Sequence, residues 1–230
     1  MKRAQKWRTV ATNALKLRRD PNLKTKSRSA IALLALARSI NYPTRFARHF
    51  ALVAEHKTYV FLYCAYAGLP FRGLAHDWSK FSPSEFFESV RYFNGRRSPV
   101  GLAREIEGYS FAWLHHKGRN KHHFEFWQDV VDANGVPVKK ANEFVPLQMP
   151  YEYALEMICD TIAASRAYNG KKFSYALLAQ WWSRRHKAPI NMHPQTLRFC
   201  DAMYEALKTA GTCAPLRNAK EIYERSQNEN

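Results

Sequence analysis

Apolar side chains in this chain recur at steps of three and four residues, as in Leu52, Val53, Val60, Phe61 and Cys64, and strand-like alternation is scarce. That spacing closes one face of a helix and leaves no two-residue stripe on which a sheet could be built. The chain is therefore expected to be all-α. Helices are predicted over 26–40, 44–67, 83–94, 101–116, 121–132, 151–168, 173–186 and 194–209. The sharpest boundary is the start at 83, with Ser82 as N-cap, Pro83 at the first helical position, Glu85 closing a capping box and Phe81 stapled onto Phe86. Asn134-Gly135, between valine-rich flanks, predicts a small hairpin, and the irregular stretch up to Pro150 is a candidate lid.

A length of 230 residues with 46% apolar content supports one substantial core. No repeat and no Gly- or Ser-rich linker divides the chain. It reads as a basic N-terminal extension (1–43), a helical core (44–170) and C-terminal helices packed on that core (171–230).

Lys and Arg number 36 against 19 Asp and Glu, a net charge of +17 that attracts phosphate-bearing partners. The surplus is concentrated at the start, where Met1 to Glu55 holds 13 basic residues and only Asp20 and Glu55 as acids. Such an opening suits a nucleic-acid arm, a membrane-surface or interaction helix, an organellar transit segment, or a merely solvated extension. RNA or a ribonucleoprotein is therefore a candidate partner; the sequence leaves the oligomeric state open.

Cys64, Cys159, Cys200 and Cys213 lack any C-x-x-C spacing, and the first three sit in apolar helical stretches. Reduced thiols and an intracellular, cytoplasmic location are the simplest expectation, with the mitochondrial matrix as the alternative. The apolar run Ala30 to Ala37 is too short to span a bilayer and precedes no convincing cleavage site.

Seven of the nine histidines, at 49, 56, 76, 115, 116, 122 and 123, are concentrated in one stretch. Neutral imidazoles and carboxylates drawn from different helices make a mixed N/O cage for a divalent metal. His56 lies within an amphipathic helix and His76-Asp77 end an apolar run. His115-His116 close a helix beside Gly118, and His122-His123 follow Asn120. Asp160 interrupts Ala154, Leu155, Ile158, Cys159, Ile162 and Ala163 on a helix that reads as buried, and a buried carboxylate needs a cation or donors. Its alternatives are an ion pair with Arg166 or exposure beside Glu156 on a polar edge. A lone histidine on an apolar helix usually packs, and His49 carries no further mark; the ordered set of the others turns the reading towards ligation.

The order His, His-Asp, His, His, Asp on successive helices resembles the HD-domain superfamily of metal-dependent phosphohydrolases over about residues 50–168. Within it, "HDWSKFSPSEF" (76–86), "AWLHHKGRNKHHFEFW" (112–127) and "MPYEYALEMICD" (149–160) look like a small uncharacterised branch, a domain of unknown function. The resemblance implies an HD-like helical bundle in which His56, His76, Asp77 and Asp160 hold one metal and His116 with His122 or His123 a second. Which member of each His-His pair ligates stays open. This chain departs from better-known members in bringing its later histidines close together around a short Gly-Arg-Asn loop.

The resemblance also implies one or two divalent transition ions (Fe, Mn, Ni, Co or Zn) and a phosphorylated small molecule or nucleotide as substrate. Asp77 would bridge metals or orient water, and Lys80 would meet a phosphoryl oxygen. Arg72 and Arg119 are possible phosphate clamps, and Asn120 is either a substrate contact or an N-cap. Most of the aromatics interleaved with these residues should be core. Two other readings stand beside hydrolysis: an HD-fold di-iron oxygenase, and a non-catalytic RNA-binding relic with structural metal.

Overall fold

The computed structural model describes residues 42–131, 134–136, 143–185 and 190–228. The helix predicted over 26–40 and nearly all of the basic extension lie outside the described residues. The described fold is predominantly helical, as the apolar period requires, with one two-stranded sheet.

Helix α1 (Tyr42–Tyr66) buries His49, Val53, His56, Val60, Tyr63 and Cys64, a stripe recurring every three to four residues. It packs along α6 (Tyr151–Asn169), whose buried residues Ala154, Leu155, Ile158, Cys159, Ile162 and Ala163 wrap much of its circumference. The C-terminal helices α7 (Tyr175–Arg185), α8 (Pro194–Ala210) and α9 (Ala219–Asn228) close the other side, and Phe199, Met203 and Leu207 of α8 are fully buried against that core. Dispersion and the hydrophobic effect thus fix α1 and α6 side by side, and the centre described below hangs on that pairing.

Between them the chain runs through α2 (Pro70–Ala75), a 3-10 turn (Trp78–Phe81), α3 (Pro83–Tyr92), α4 (Pro99–Glu107) and α5 (Phe111–Lys117). Gly73 is where α2 crosses α1: a Cβ there would lie 2.7 Å from the Cys64 Cβ and 2.9 Å from the Phe61 Cα, so the approach admits only glycine. The helix predicted over 101–116 is two helices, because Gly108 turns the chain at φ 86° and Ser110 starts α5 afresh, its hydroxyl accepting from the Trp113 N–H at 3.1 Å.

Residues 121–131 do not form the predicted helix, and 132, the end of the predicted range, lies outside the described residues. After a turn and a short 3-10 segment (Phe124–Phe126), β1 (Gln128–Val131) pairs antiparallel with β2 (Glu143–Pro146). The strands flank Asn134-Gly135, as the expected hairpin requires, with Val131↔Glu143 the pair nearest the connection. The ladder satisfies the backbone of the valine-rich run that a helix would otherwise have to satisfy. Described residues of this segment line neither of the cavities beside the centre, and residues 132–133 and 137–142 lie outside the described residues. Asn191 ties β2 to the C-terminal side, donating to the Phe144 carbonyl at 3.2 Å.

At the start of α3, Phe81 and Phe86 stack at 6.4 Å as a staple would, but Ser82 makes no side-chain cap bond and Glu85 turns inward rather than back to it. The four cysteines are unpaired thiols. Among the described residues no helix is long and apolar enough to cross a membrane.

Candidate metal centre

Tight packing at Gly73 delivers His76 to the end of α2, where the Lys57 ammonium donates to the His76 carbonyl. The next residue, Asp77, is the one non-glycine with positive φ among the described residues (φ 51°, ψ 36°), a left-handed conformation that Asp tolerates better than most. This kink turns the chain so that the Asp77 carboxylate is wholly buried.

Two helices flank it. On α1, His56 belongs to the buried stripe. On α6, Glu156 and Asp160 stand four residues apart on one face, so a single helix supplies both. From the opposite side α5 brings His115 and His116. The loop after α5 brings His122 and His123, and Asn120 braces that loop by donating to Ser79 Oγ at 3.0 Å and to the His116 carbonyl at 2.8 Å.

Asp77 divides the centre in two. Its Oδ2 lies 3.0 Å from His76 Nε2 and 2.5 Å from Lys80 Nζ, while Asp160 Oδ1 lies 3.0 Å from His56 Nε2 and 3.4 Å from His76 Nε2. Its Oδ1 faces the other way, 3.5 Å from His116 Nε2 and 3.4 Å from His122 Nε2. Donors bound to one ion at about 2.0–2.2 Å sit roughly 3.0–3.5 Å from one another, which is the spacing found here. Asp77 with His56, His76 and Asp160, and Asp77 with His116, His122 and His123, each gather their donor atoms within 4.8 Å.

The donor atoms are buried, and His122 Nε2, His123 Nε2 and Asp77 Oδ1 have no hydrogen-bond partner, while Asp77 Oδ2 and Asp160 Oδ1 meet Lys80 and the imidazoles of His76 and His56. Orphaned buried polar atoms are costly, and so many converging on one place is the arrangement a cation relieves. These groups can hold a metal ion.

Behind the donors sit two further carboxylates. Glu156 Oε1 accepts from His76 Nδ1 at 2.9 Å and lies 3.4 Å from His122 Nδ1, while Glu85 accepts from His115 Nδ1 at 2.6 Å and from His116 Nδ1 at 2.8 Å. Each holds its histidine's Nδ1 and so turns Nε2 inward, the usual support for a metal-binding imidazole.

The electrostatics agree with this geometry. Burial alone would push the Asp77 carboxyl up, but His76 and Lys80 outweigh it and hold it well below the usual range. For Asp160 the same burial is overcome by its bonds to His56 and His76. Burial also raises Glu156, yet the bonds from His122 and His76 bring it down to about 2. His56 is lowered to about 4, chiefly by burial and then by Lys80, and burial pushes His123 well below its ordinary value. His56 and His123 thus present neutral lone pairs beside ionised carboxylates, whereas for His76 the burial that would lower it is outweighed by Asp77, Asp160 and Glu156, which hold it well above its ordinary value, so a divalent ion binding there displaces its proton.

All seven residues expected as ligands therefore converge, and Lys80 joins them, 3.2 Å from His56 Nε2. Arg72, Arg119 and Asn120 are not among the donor groups, although Asn120 Nδ2 lies 3.1 Å from His116 Nδ1. All three line a second cavity of about 230 Å³ on the Glu156 side of His76, where Arg72 pairs with Glu156 Oε2 at 3.2 Å and stacks on Tyr153. Asn120 caps no helix, since none begins at 121. Arg166 bonds the Tyr63 hydroxyl, not Asp160, and Glu156 is buried rather than on a polar edge. Trp78 and Phe87 are exposed, while Phe86, Tyr92 and Phe93 are core. Glu85 and Glu156 were missed as supports because each matched a local surface role, although the i,i+4 partnership of Glu156 with Asp160 was readable.

A helical fold enclosing buried histidine and carboxylate clusters that can take up a cation places the protein among α-helical proteins with a candidate metal centre. Residues 45–206 match the model of the family of unknown function (DUF5662), and the chain belongs to that family. The match runs from the first turn of α1 through most of α8 and takes in every residue of the centre. No curated protein matches the chain, and no solved structure matches it.

Proposed function

We propose that this protein is a metal-dependent phosphohydrolase of the HD type, using one or two divalent transition ions (Fe, Mn, Ni, Co or Zn) to cleave a phosphate ester. The observation that carries this reading is the buried Asp77 carboxylate set between two donor groups, one oxygen facing each. His56, His76, Asp77 and Asp160 would hold one ion, and Asp77, His116, His122 and His123 a second. Divalent ions there supply Lewis acidity, polarising a phosphoryl oxygen and lowering the pKa of water.

The chain's own groups do the rest. Lys80, paired with Asp77, is placed to exchange that contact for a non-bridging phosphoryl oxygen. Glu85 and Glu156 keep the imidazoles oriented as charge shifts. In the reaction the oxygen of water forms a new bond to phosphorus, the ester P–O bond breaks, and the departing alkoxide takes up a proton to leave as the alcohol.

The test is elemental analysis of the pure protein, then phosphate release from a panel of phosphomono- and diesters with each metal restored. Turnover that disappears in both His76→Ala and Asp77→Ala supports the proposal; absence of metal uptake and of turnover with every ion refutes it. A second reading, a di-iron oxygenase, is favoured by the three imidazoles of the second group. Oxygen consumption without phosphate release would select it.

A further inference from the structure

The centre borders two cavities of different character: one of about 220 Å³ lined by His56, His116, His123 and Asp160 of the expected ligands, and the cationic one of about 230 Å³, which only His76 and Asp77 of that set line. The inner end of the first is formed by His56, Lys80, His116, His123 and Asp160. The remaining lining of that cavity is largely apolar, with Leu52 from α1, Val100 from α4, Trp113 from α5, and Ala164 and Ala167 from α6, beside the polar groups of His49, Glu85, Ser89, Ser98 and Tyr168. Lys80 is the only lysine or arginine lining it among the described residues, whereas Arg72, Arg119 and Lys121 all line the other cavity.

Size and charge restrict what fits. A dry cavity of about 150 Å³ accommodates benzene, so 220 Å³ holds a body of roughly nine non-hydrogen atoms. A nucleotide, with more than about twenty, overfills it, and a second phosphate would find no further lysine or arginine along these walls. Small alanines on α6 lining the same cavity as Trp113 leave room suited to a flat or short-chain apolar group.

We infer that the substrate is a compact monoester, a single anionic phosphate carried on a short alkyl or single-ring aryl group, with its head at Lys80 and the donor cluster and its apolar body against Trp113, Ala164 and Ala167. This rests on the phosphohydrolase reading and narrows it: nucleotides are poor substrates, and the alanines of α6 set the size limit. Ala167→Phe fills that room from α6 and Val100→Phe fills it from α4, without touching a donor atom.

Calorimetry on the metal-reconstituted protein with methylphosphonate, phenylphosphonate and AMP tests it, alongside hydrolysis of phenyl phosphate and AMP. Phenylphosphonate is expected to bind at least about tenfold more tightly than methylphosphonate, through burial of its ring, and more tightly than AMP. Ala167→Phe and Val100→Phe should each erase the phenyl advantage while keeping metal content, thermal midpoint and methylphosphonate affinity. Equal binding of the two phosphonates, tighter binding or faster hydrolysis of AMP, or undiminished phenyl preference in both folded variants would overturn the inference and leave phosphohydrolysis standing. If no phosphonate binds and no ester is cleaved, the phosphohydrolase reading fails and the inference with it.

Discussion

Replacing Gly73 by alanine tests whether the α1–α2 contact positions the centre. The added Cβ would stand 2.7 Å from the Cys64 Cβ and 2.9 Å from the Phe61 Cα, neither of which is the end of a flexible side chain. Reaching an ordinary contact of 3.4 Å requires α2 to retreat by about 0.7 Å. Overpacking of this kind costs roughly 1–3 kcal/mol, or about 2–12 °C in thermal midpoint for a chain of this size. His76 sits one residue beyond α2, so a shift larger than the ~0.5 Å a functional constellation tolerates should weaken metal binding by at least about tenfold. Gly101→Ala is the matched control. Gly101 lies within α4 with nothing within 4 Å of an added Cβ, so alanine there should stabilise by roughly 0.5–1 kcal/mol and leave metal affinity unchanged. Thermal unfolding by circular dichroism and metal titration against a chromophoric chelator give both readouts. If the two alanine variants are equally stable and bind metal equally well, the contact does not position His76.

Three further outcomes follow from the centre. Saturating the protein with a bound divalent ion at a hundred times its Kd should stabilise it by about 2.7 kcal/mol, and Asp77→Asn should remove most of that gain, read as the metal-induced rise in thermal midpoint. Glu156→Gln keeps its size but weakens its hold on His76 and His122, so metal affinity should fall roughly 10- to 100-fold with the fold intact; an unchanged affinity would remove Glu156 from the centre. Ser110→Ala removes the cap of α5 and should cost about 1 kcal/mol by denaturant unfolding, with Ser82→Ala, where no side-chain cap bond exists, costing much less.

The helical period was plain in the sequence because each helix must bury a stripe, and α1 and α6 show theirs openly. His76-Asp77 and Asp160 were legible for the complementary reason: a carboxylate among apolar neighbours demands a partner. What escaped reading was decided at longer range. Glu85 satisfies a capping-box pattern locally, yet two imidazoles thirty and thirty-one positions away offer it stronger bonds. Val130 and Val131 suit either a helix or a strand, and pairing with β2 made the choice. The break between α4 and α5 was marked by Gly108 and Ser110, signals outweighed by the apolar spacing on either side.

The left-handed backbone at Asp77 has a consequence for how this position can vary. Glutamate would preserve the charge but pay about 1–2 kcal/mol to adopt that twist, glycine would relax the twist but forfeit the carboxylate, and asparagine would accept the twist with one anionic oxygen fewer. No single exchange retains both properties. A lineage or a designer altering residue 77 must therefore rebuild the surrounding loop at the same time, and that loop already carries His76 and Lys80, so a change here reaches beyond one side chain.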